Sequence, residues 1–411
     1  MTRGHDASPD SGARHGRAML ALALIHGVND MYMGFLPALL PLIVRRLDLT
    51  LTGVGLLIST VNLVSQLSQP LFGYLGDRTG RRVLAIAGPL ITTLSMSWLG
   101  LVGSYELLLV TVVLGSIGTA VFHPQGAALV GSFAGRRGTA MALFTSGGSL
   151  GYGVGPVLVI AIVNLFGLRF TWLSMGIGLA ATAFLLAAVP RSTGRPAAAG
   201  GRPRAAGPRR WLVPLMLLYS VVMLRAGTAI LFTTFIPLLM ERRGAALMLG
   251  GWTLLGFSLA GAVGGLLGGP LSDRLGRRAV TVGGLALTGP AIFLFLRADG
   301  LAAAALLLLS GACLFSALPV NIVMAQELRP NHASTVSGLV MGFAWGIGGL
   351  ATTVLGALAD RWSTTLGELA GLARAMDLIA VLPIAAAVLA LALPETRVAS
   401  SGERGSTDDD G

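Results

Sequence analysis

Lysine is absent from this chain: all 29 basic side chains are arginine, set against 18 carboxylates. Charged residues of both signs make up only 11% of 411 residues, while 54% are hydrophobic and the mean hydropathy is +0.78. So little charge cannot clothe a water-soluble globule of this length, and the composition places the chain in a lipid bilayer. In a soluble protein the net charge of +11 would point to nucleic acid. Here the arginines sit in short gaps between apolar runs, so they are read as topology signals, and nucleic acid is excluded as a partner. Cysteine is nearly absent too. Cys313, alone in an apolar run, allows no intrachain disulfide and no cysteine metal cluster. No nucleotide-binding loop, metal cluster or nucleophilic triad appears, so neither an enzyme nor a cofactor or metal is expected.

What the chain has in abundance is long apolar runs without strand-like alternation. Crossing the hydrocarbon takes about 20 apolar residues in a helix. Twelve such spans are expected, near 18–44, 54–74, 83–102, 106–130, 139–166, 171–189, 211–240, 247–271, 279–296, 301–325, 334–358 and 378–393. Residues 1–17 are polar and precede a run too long for a signal peptide and without a small-residue cleavage site, so the first helix is expected to be retained. The Pro/Gly/Arg-rich stretch 190–210 reads as a linker between halves 18–189 and 211–397, and 398–411 as a disordered tail. With the N-terminus in the cytoplasm, twenty arginines fall on the cytoplasmic side, eight opposite and one, Arg225, inside a span. Positive-inside then sets both termini and the linker in the cytoplasm.

The decapeptide GYLGDRTGRR at Gly73–Arg82 returns as GPLSDRLGRR at Gly269–Arg278, 196 positions later. Pro41 recurs as Pro237 at the same offset, and Pro124 and Pro319, Gly147 and Gly342, and Gly151 and Gly346 stand 195 apart. A period this long means two fused copies of one folded half. Both loops join the second and third spans of their half. Gly80 and Gly276 suit the positive φ that stops a helix, and Arg78, Arg81, Arg82, Arg274, Arg277 and Arg278 can meet carbonyl ends or lipid phosphates. Asp77 and Asp273 are placed to accept from the N-terminus of a neighbouring helix, a contact able to form in one conformation only, so the two loops are candidate gates.

The loop resembles the signature of the major facilitator superfamily, Gly-x-x-x-Asp-Arg-x-Gly-Arg-Arg. More narrowly, HGVNDM at His26–Met31, QPLFGYLGDR at Gln69–Arg78, VFHPQ at Val121–Gln125, and AQELRP and VSGLVMGFAWGIGGL between Ala325 and Leu350 resemble the fosmidomycin-resistance type of drug efflux protein. The resemblance covers residues 18–397. It implies an all-α membrane protein of twelve helices in two pseudo-symmetric six-helix bundles, in a bacterial inner membrane, acting as a monomer. It also implies alternating access and proton-coupled export of a small molecule. Two departures stand out. Gln125 follows His123-Pro124 where the family commonly has glutamate, and Gln125 cannot carry a proton. Gly155-Pro156 resembles the drug-antiporter signature, but Val157–Ile160 lack the glycines that usually follow.

Ionisable groups inside a span cost about 2.5–3.5 kcal/mol each at the bilayer centre, so those present are functional candidates. Asp30 is the carboxylate deep in an apolar run and Arg225 the deep cation. Asn29 aligns with Arg225 under the repeat, so both charges stand at equivalent levels of the first and seventh spans. His123 and Asn321 lie on the fourth and tenth spans, which the resemblance sets around the same central cavity. Asp30, with His26 one turn before it and His123, is the candidate proton carrier. Arg225, Asn29, Gln125, Asn321, Asn62 and Gln66 are the candidate substrate contacts, Arg225 for an anionic group. The alternative is a structural Asp30–Arg225 pair holding the halves together. If that pair forms, protonating Asp30 frees Arg225 and favours symport with an anion; antiport instead needs a substrate that competes with the proton. His26 can equally be a packing residue, and His123 can serve carbonyls freed at Pro124.

Glycines recur every fourth residue at Gly147, Gly151 and Gly155, at Gly261, Gly265 and Gly269, and at Gly338, Gly342 and Gly346. Such ladders let helices meet backbone to backbone. On the fifth, eighth and eleventh spans they are expected at the contact between halves, where smooth surfaces permit rocking, while Asn62, Gln66 and Gln69 form a polar stripe on the second span. The function expected is proton-coupled efflux of small drugs or metabolites. An importer or exchanger of small organic anions is the alternative, and a non-transporting receptor a remote one.

Overall fold

Apolar runs in lipid must satisfy their backbone groups internally, which leaves helices or closed barrels. A computed structural model describes residues 9–133, 137–189, 211–329, 336, 340, 342 and 344–396, and among these every regular element is helical. The linker 190–210 and the tail 398–411 lie outside the described residues.

The first span is α1 (Pro9–Met33) followed by α2 (Phe35–Leu47). It breaks at Gly34 because Pro37 has no N–H with which to continue the ladder. Spans two to six are α3 (Leu51–Thr79), α4 (Arg81–Met96), α5 (Tyr105–Phe133), α6 (Arg137–Phe166) and α7 (Met175–Ala188). Spans seven to eleven are α8 (Leu212–Arg242), α9 (Leu247–Leu275), α10 (Arg277–Phe295), α11 (Gly300–Leu328) and α12 (Ala344–Leu366). The twelfth comprises α13 (Glu368–Asp377) and α14 (Val381–Leu391), joined by the tight turn Leu378–Ala380. Eleven described helices are long and apolar enough to cross a membrane. The twelfth element, α12, carries Asp360 and Arg361 within its length.

Two ends extend beyond the apolar runs. The first helix starts at Pro9, so residues 9–17 are helix rather than tail. The last span starts at Glu368 rather than Leu378, because its first turns bury Gly371, Leu372, Ala375 and Met376 while Glu368, Arg374 and Asp377 face outward. Arg297 holds Asp377 through two hydrogen bonds of 2.7 and 2.8 Å.

Gly80 and Gly276, at φ of 104° and 100°, end α3 and α9, as a helix stop there requires. Arg82 donates to Val189 O and Leu186 O at the end of α7, and Arg278, its repeat partner, donates to Leu393 O just after α14. The repeat thus holds at the level of individual hydrogen bonds, with each loop arginine closing the C-terminal end of its half's last helix.

Between the halves, α3 packs on α12, α6 on α9, and α2 on α8. The end of the bundle carrying Gly73–Arg82 and Gly269–Arg278 is the loop face; the opposite end, with the turns at 48–50, 243–246 and 367, is the far face. One apolar core runs through the second half and takes in Met31–Ile43, Leu51–Val61, Met96–Val112 and Val159–Ile160 of the first, all toward the far face. On the loop-face side, the first half has a separate core around Leu22, Ile25, Phe122, Leu129 and Phe144. The halves therefore share their interior at the far face and part toward the loop face.

The glycine ladders face elsewhere than expected. Gly147, Gly151 and Gly155 set α6 against the backbone of Ala23, Gly27 and Met31 on α1, inside the first half. Gly261 faces Phe315 of α11, inside the second half. Only Gly342 and Gly346 meet the other half, at Gln66; Gly338 lies outside the described residues. The reason is that small residues serve whichever neighbour comes closest, and α1–α6 is the tighter pair. A Cβ at Gly151 would strike the Gly27 backbone, whereas at Gly269 it would meet nothing within 4 Å. Gly151→Val is accordingly expected to destabilise by about 1–3 kcal/mol and lower the thermal midpoint in detergent, with Gly269→Ala leaving it unchanged or slightly raised.

Candidate functional site

His26 and Asp30 stand one turn apart on α1, so their side chains share a face. His26 Nε2 lies 3.2 Å from Asp30 Oδ2. From α5, His123 Nε2 approaches Asp30 Oδ1 at 3.1 Å, and the Asn29 amide donates to the same oxygen at 3.0 Å. Asn29 also reaches Thr119 Oγ1 at 3.2 Å. The other ring nitrogen of His26, Nδ1, lies 2.7 Å from the carbonyl oxygen of Phe144, and the imidazole stacks on the Phe144 ring at 4.0 Å. Gly148 leaves room for the pair, since a Cβ there would run into the His26 ring and Asp30 Oδ2.

This geometry fixes a proton count. A carbonyl oxygen only accepts, so Nδ1 of His26 is the protonated nitrogen. In a neutral imidazole Nε2 would then present a lone pair to Asp30 Oδ2. Two facing lone pairs repel, so a proton lies between them, carried either by the imidazole or by the carboxyl. His123 and Asn29 already fill Oδ1, which leaves Oδ2 as the exchangeable position. Side-chain exposure rises from 9% at His26 through 19% at Asp30 to 28% at His123, so His123 is the open edge of the cluster. The three side chains also form a set with metal-ligand chemistry, their ligand atoms lying within 4.8 Å of one another. The nitrogen–oxygen separations of 3.1 and 3.2 Å are within hydrogen-bond range.

Arg225 does not join this cluster. The alternative reading, a structural Asp30–Arg225 pair, is not formed, because Asp30 is taken by two histidines of its own half. Arg225, on α8, is fully buried, and none of its three guanidinium nitrogens has a hydrogen-bond partner among the described residues. Its guanidinium carbon lies 5.4 Å from the Trp345 ring and 5.9 Å from the Phe315 ring. Cation–π contact offsets part of the burial cost but supplies no acceptor. Just before Trp345 the backbone is π-helical at Val340 and Gly342, a local irregularity frequent at functional sites.

The other candidates are dispersed. Asn321 is buried, accepts from Thr281 Oγ1 at 3.1 Å, and keeps its amide nitrogen unpaired. Gln125 turns away from the histidines and donates to Phe72 O at 2.7 Å, tying α5 to α3. Asn62 and Gln66 face the glycines of α12 across the seam, and Gln69 donates to Gln66 at 2.9 Å. In the loops, Arg78 lies over Tyr74 at 4.5 Å, and Arg81 and Arg274 are engaged by neighbours. The side chain of Asp77 lies outside the described residues. Asp273 pairs with Arg277 at 2.6 Å, four residues on in its own loop, and among the described residues it accepts from no helix N-terminus. Glu395 takes that role, its two oxygens accepting from the N–H groups of Arg277 and Arg278 that open α10. Sequence reasoning missed Glu395, Trp345, Phe315 and the Phe144 carbonyl. A backbone carbonyl leaves no trace in residue identity, but Trp345, a lone large side chain in a glycine-rich run, was a visible signal.

The family model described as Major Facilitator Superfamily matches residues 22–353. The chain is 31% identical to the fosmidomycin resistance protein of Escherichia coli, covering 84% of this chain and 87% of that one. It is 29% identical to an uncharacterized MFS-type transporter, YfnC, of Bacillus subtilis over 92% of each. It is also 29% identical to a probable nitrate/nitrite transporter, NarK2, of Mycobacterium tuberculosis over 77% of this chain and 82% of that one. Among solved structures, a bacterial homologue of the human lysosomal transporter Spinster superposes with a TM-score of 0.76 at 16% identity, covering 91% of this chain and 95% of the other. The nucleoside transporter NupG gives 0.73 at 13%, covering 92% and 99%.

An unpaired buried cation is a cost to the fold, about 2.5–3.5 kcal/mol on insertion scales. Arg225→Met, which keeps the volume and removes the charge, is expected to hold or raise the thermal midpoint, whereas Arg225→Ala lowers it by leaving a void. Equal losses for both substitutions would mean that the guanidinium holds the structure together.

Proposed function

This chain belongs to the major facilitator superfamily of membrane transporters, which are not enzymes, and from that premise we propose that it is a proton-coupled exporter of small drugs or metabolites. It works as a monomer with one central site exposed alternately to each side of the bacterial inner membrane. The observation that carries the proposal is the proton that the hydrogen bonds of His26 require at Asp30. That proton sits on an exchangeable position at mid-span, with His123 as its route in and out.

Positive-inside places the loop face and both termini in the cytoplasm. The shared core then closes the outer side, and the halves part toward the cytoplasm. Export by antiport requires proton and substrate to exclude each other. A substrate with an anionic end for Arg225 and a hydrogen-bond donor for Asp30 Oδ2 does this, because the donor and the proton compete for one oxygen. Fosmidomycin, a phosphonate carrying an N–OH group, has that chemistry, and the similarity to a fosmidomycin resistance protein supports it. The symport route that an Asp30–Arg225 pair would have provided has no partner in this arrangement.

A second reading, import or exchange of small organic anions, is favoured by the unpaired Arg225. A substrate with no donor group would leave the proton in place and travel with it.

In proteoliposomes, Asp30→Asn is expected to abolish accumulation driven by a pH gradient while leaving substrate counterflow intact. Gradient-driven accumulation surviving in Asp30→Asn would remove that residue from coupling. Arg225→Gln is expected to weaken substrate binding by about 10- to 100-fold, the equivalent of losing charge-assisted hydrogen bonds worth about 1.5–3 kcal/mol. The direction of the proton flux that accompanies substrate separates antiport from symport.

A further inference from the structure

At the far face a carboxylate of one half closes a helix end of the other. Asp360, near the end of α12, accepts from Leu51 N at 3.0 Å, from Thr52 N at 2.7 Å and from Thr52 Oγ1 at 2.6 Å. These are the first-turn donors of α3, and the third, Gly53 N, is taken by Thr50 Oγ1. A helix N-terminus leaves such N–H groups without intrahelical partners and carries partial positive charge, so a two-oxygen anion is well matched to it. Below Asp360 the helices touch by backbone. A Cβ at Gly356 would strike Leu51 O and one at Gly55 would strike Thr352. The Ser59 hydroxyl lies 3.0 Å from Gly349 O and 2.7 Å from Thr353 Oγ1, and Thr352 Oγ1 donates to Gly55 O at 2.9 Å.

The pairing is antiparallel with a regular register: Leu51 faces Asp360, Ser59 faces Thr352, Asn62 faces Gly349 and Gln66 faces Gly346. Gly73 and Gly76 face Pro124 and Gln125 of their own half. Among the described residues the pairing runs from the far face as far as Gln66, which faces Gly346 and Gly342.

The sequence around Asp360 repeats the pattern of the loops. Gly356-Ala-Leu-Ala-Asp360-Arg361 has the Gly-x-x-x-Asp-Arg spacing of Gly73–Arg78 and Gly269–Arg274, placed at the opposite face of the bundle. Asp77 and Asp360 therefore stand near the C-terminal ends of their own helices, α3 and α12, at opposite faces of the bundle.

We infer that Asp360 is a positioning residue for transport: its carboxylate latches the far face by holding the N-terminus of α3, and it releases that helix when the site opens to the far side. The latch itself is built from hydrogen bonds that water can replace, while Val54, Leu57 and Ile58 on the neighbouring side of α3 belong to the apolar core that the halves share. It is independent of which group carries protons, and it stands or falls separately from the role of Asp30.

The test is the distance between the halves at the far face. In a Cys313→Ser background, spin labels at Gly103→Cys and Thr365→Cys, both exposed positions, report it by pulsed electron paramagnetic resonance in nanodiscs. The chain with Asp360 intact is expected to show mainly the short, closed distance. Asp360→Ala is expected to shift the closed-to-open ratio by about tenfold or more toward open, the fold-change that goes with losing charge-assisted hydrogen bonds. Asp360→Asn, which keeps one acceptor oxygen, and Thr52→Val, which removes only the hydroxyl, fall between, and Asp360→Glu restores the closed population. A second label pair inside the first half, at Gly103 and Phe166, stays unchanged in all of them. The latch is overturned if Asp360→Ala keeps the distribution of the parent, or if the pair within the first half broadens along with the pair between halves. Should Asp360→Ala not fold, Asp360→Asn and Thr52→Val decide by the same readout.

Discussion

A polar group that enters hydrocarbon has to find its partner inside the protein, and most of this structure follows from that constraint. The backbone meets it by being helical throughout the spans. Helix ends meet it with side chains from elsewhere in the chain: Glu395 on α10, Asp360 on α3, Arg82 and Arg278 on the carbonyls that end their halves. Serine and threonine hydroxyls within the spans mostly bond the carbonyl three or four residues back, as Thr111, Ser116 and Thr228 do. Asp30 meets it four times over, through His26, His123 and Asn29 and through the proton that the first of these demands. Against that background Arg225 stands out, its three guanidinium nitrogens having no hydrogen-bond partner among the described residues and two aromatic rings near by.

The two halves show how a duplicated scaffold comes to hold unlike chemistry. Their loops kept the same residues for the same reason: each loop must stop one helix, start the next and close a third. The buried levels were free of that demand and diverged. Asn29 and Arg225 occupy equivalent positions, yet one orients a carboxylate and the other waits unpaired. Among the described residues, the carboxylate with its two histidines thus lies in the first half and the unpartnered guanidinium in the second.

The twelve spans, the duplication and the i, i+4 partnership of His26 with Asp30 were legible in the sequence, because each depends on spacing along one helix or on composition. Contacts between helices were not. The Asp30–Arg225 pair looked plausible from equivalent depth alone, but depth does not say which way a side chain turns, and His123 was nearer. The glycine ladders had the right period, and period cannot name the neighbour. The last span was placed ten residues late because Glu368, Arg374 and Asp377 broke the apolar run, though they lie on the outward side of a helix whose inner side is buried. Asp360 was legible in principle, since its Gly-x-x-x-Asp-Arg spacing copies the loops. It was passed over because it lies in no loop and outside the offset of the repeat.

The seam between α3 and α12 carries a last consequence of the same constraint. Its contacts are carboxylate to N–H, hydroxyl to carbonyl and glycine to backbone, with Asn62 and Gln66 continuing the polar stripe. An apolar seam of this length would be stabilised by burial in proportion to its area, and separating it would expose that area to water at about 25 cal/mol per Å². A hydrogen-bonded seam exchanges partners with water at much smaller net cost, on the order of 1 kcal/mol per bond. Apolar contacts at the far face come from α2 and α8 and also from Leu51, Val54, Leu57, Ile58 and Leu355 on the flanks of α3 and α12 themselves. The polar strip between α3 and α12 is therefore the part of the shared interior for which meeting water carries the smallest cost.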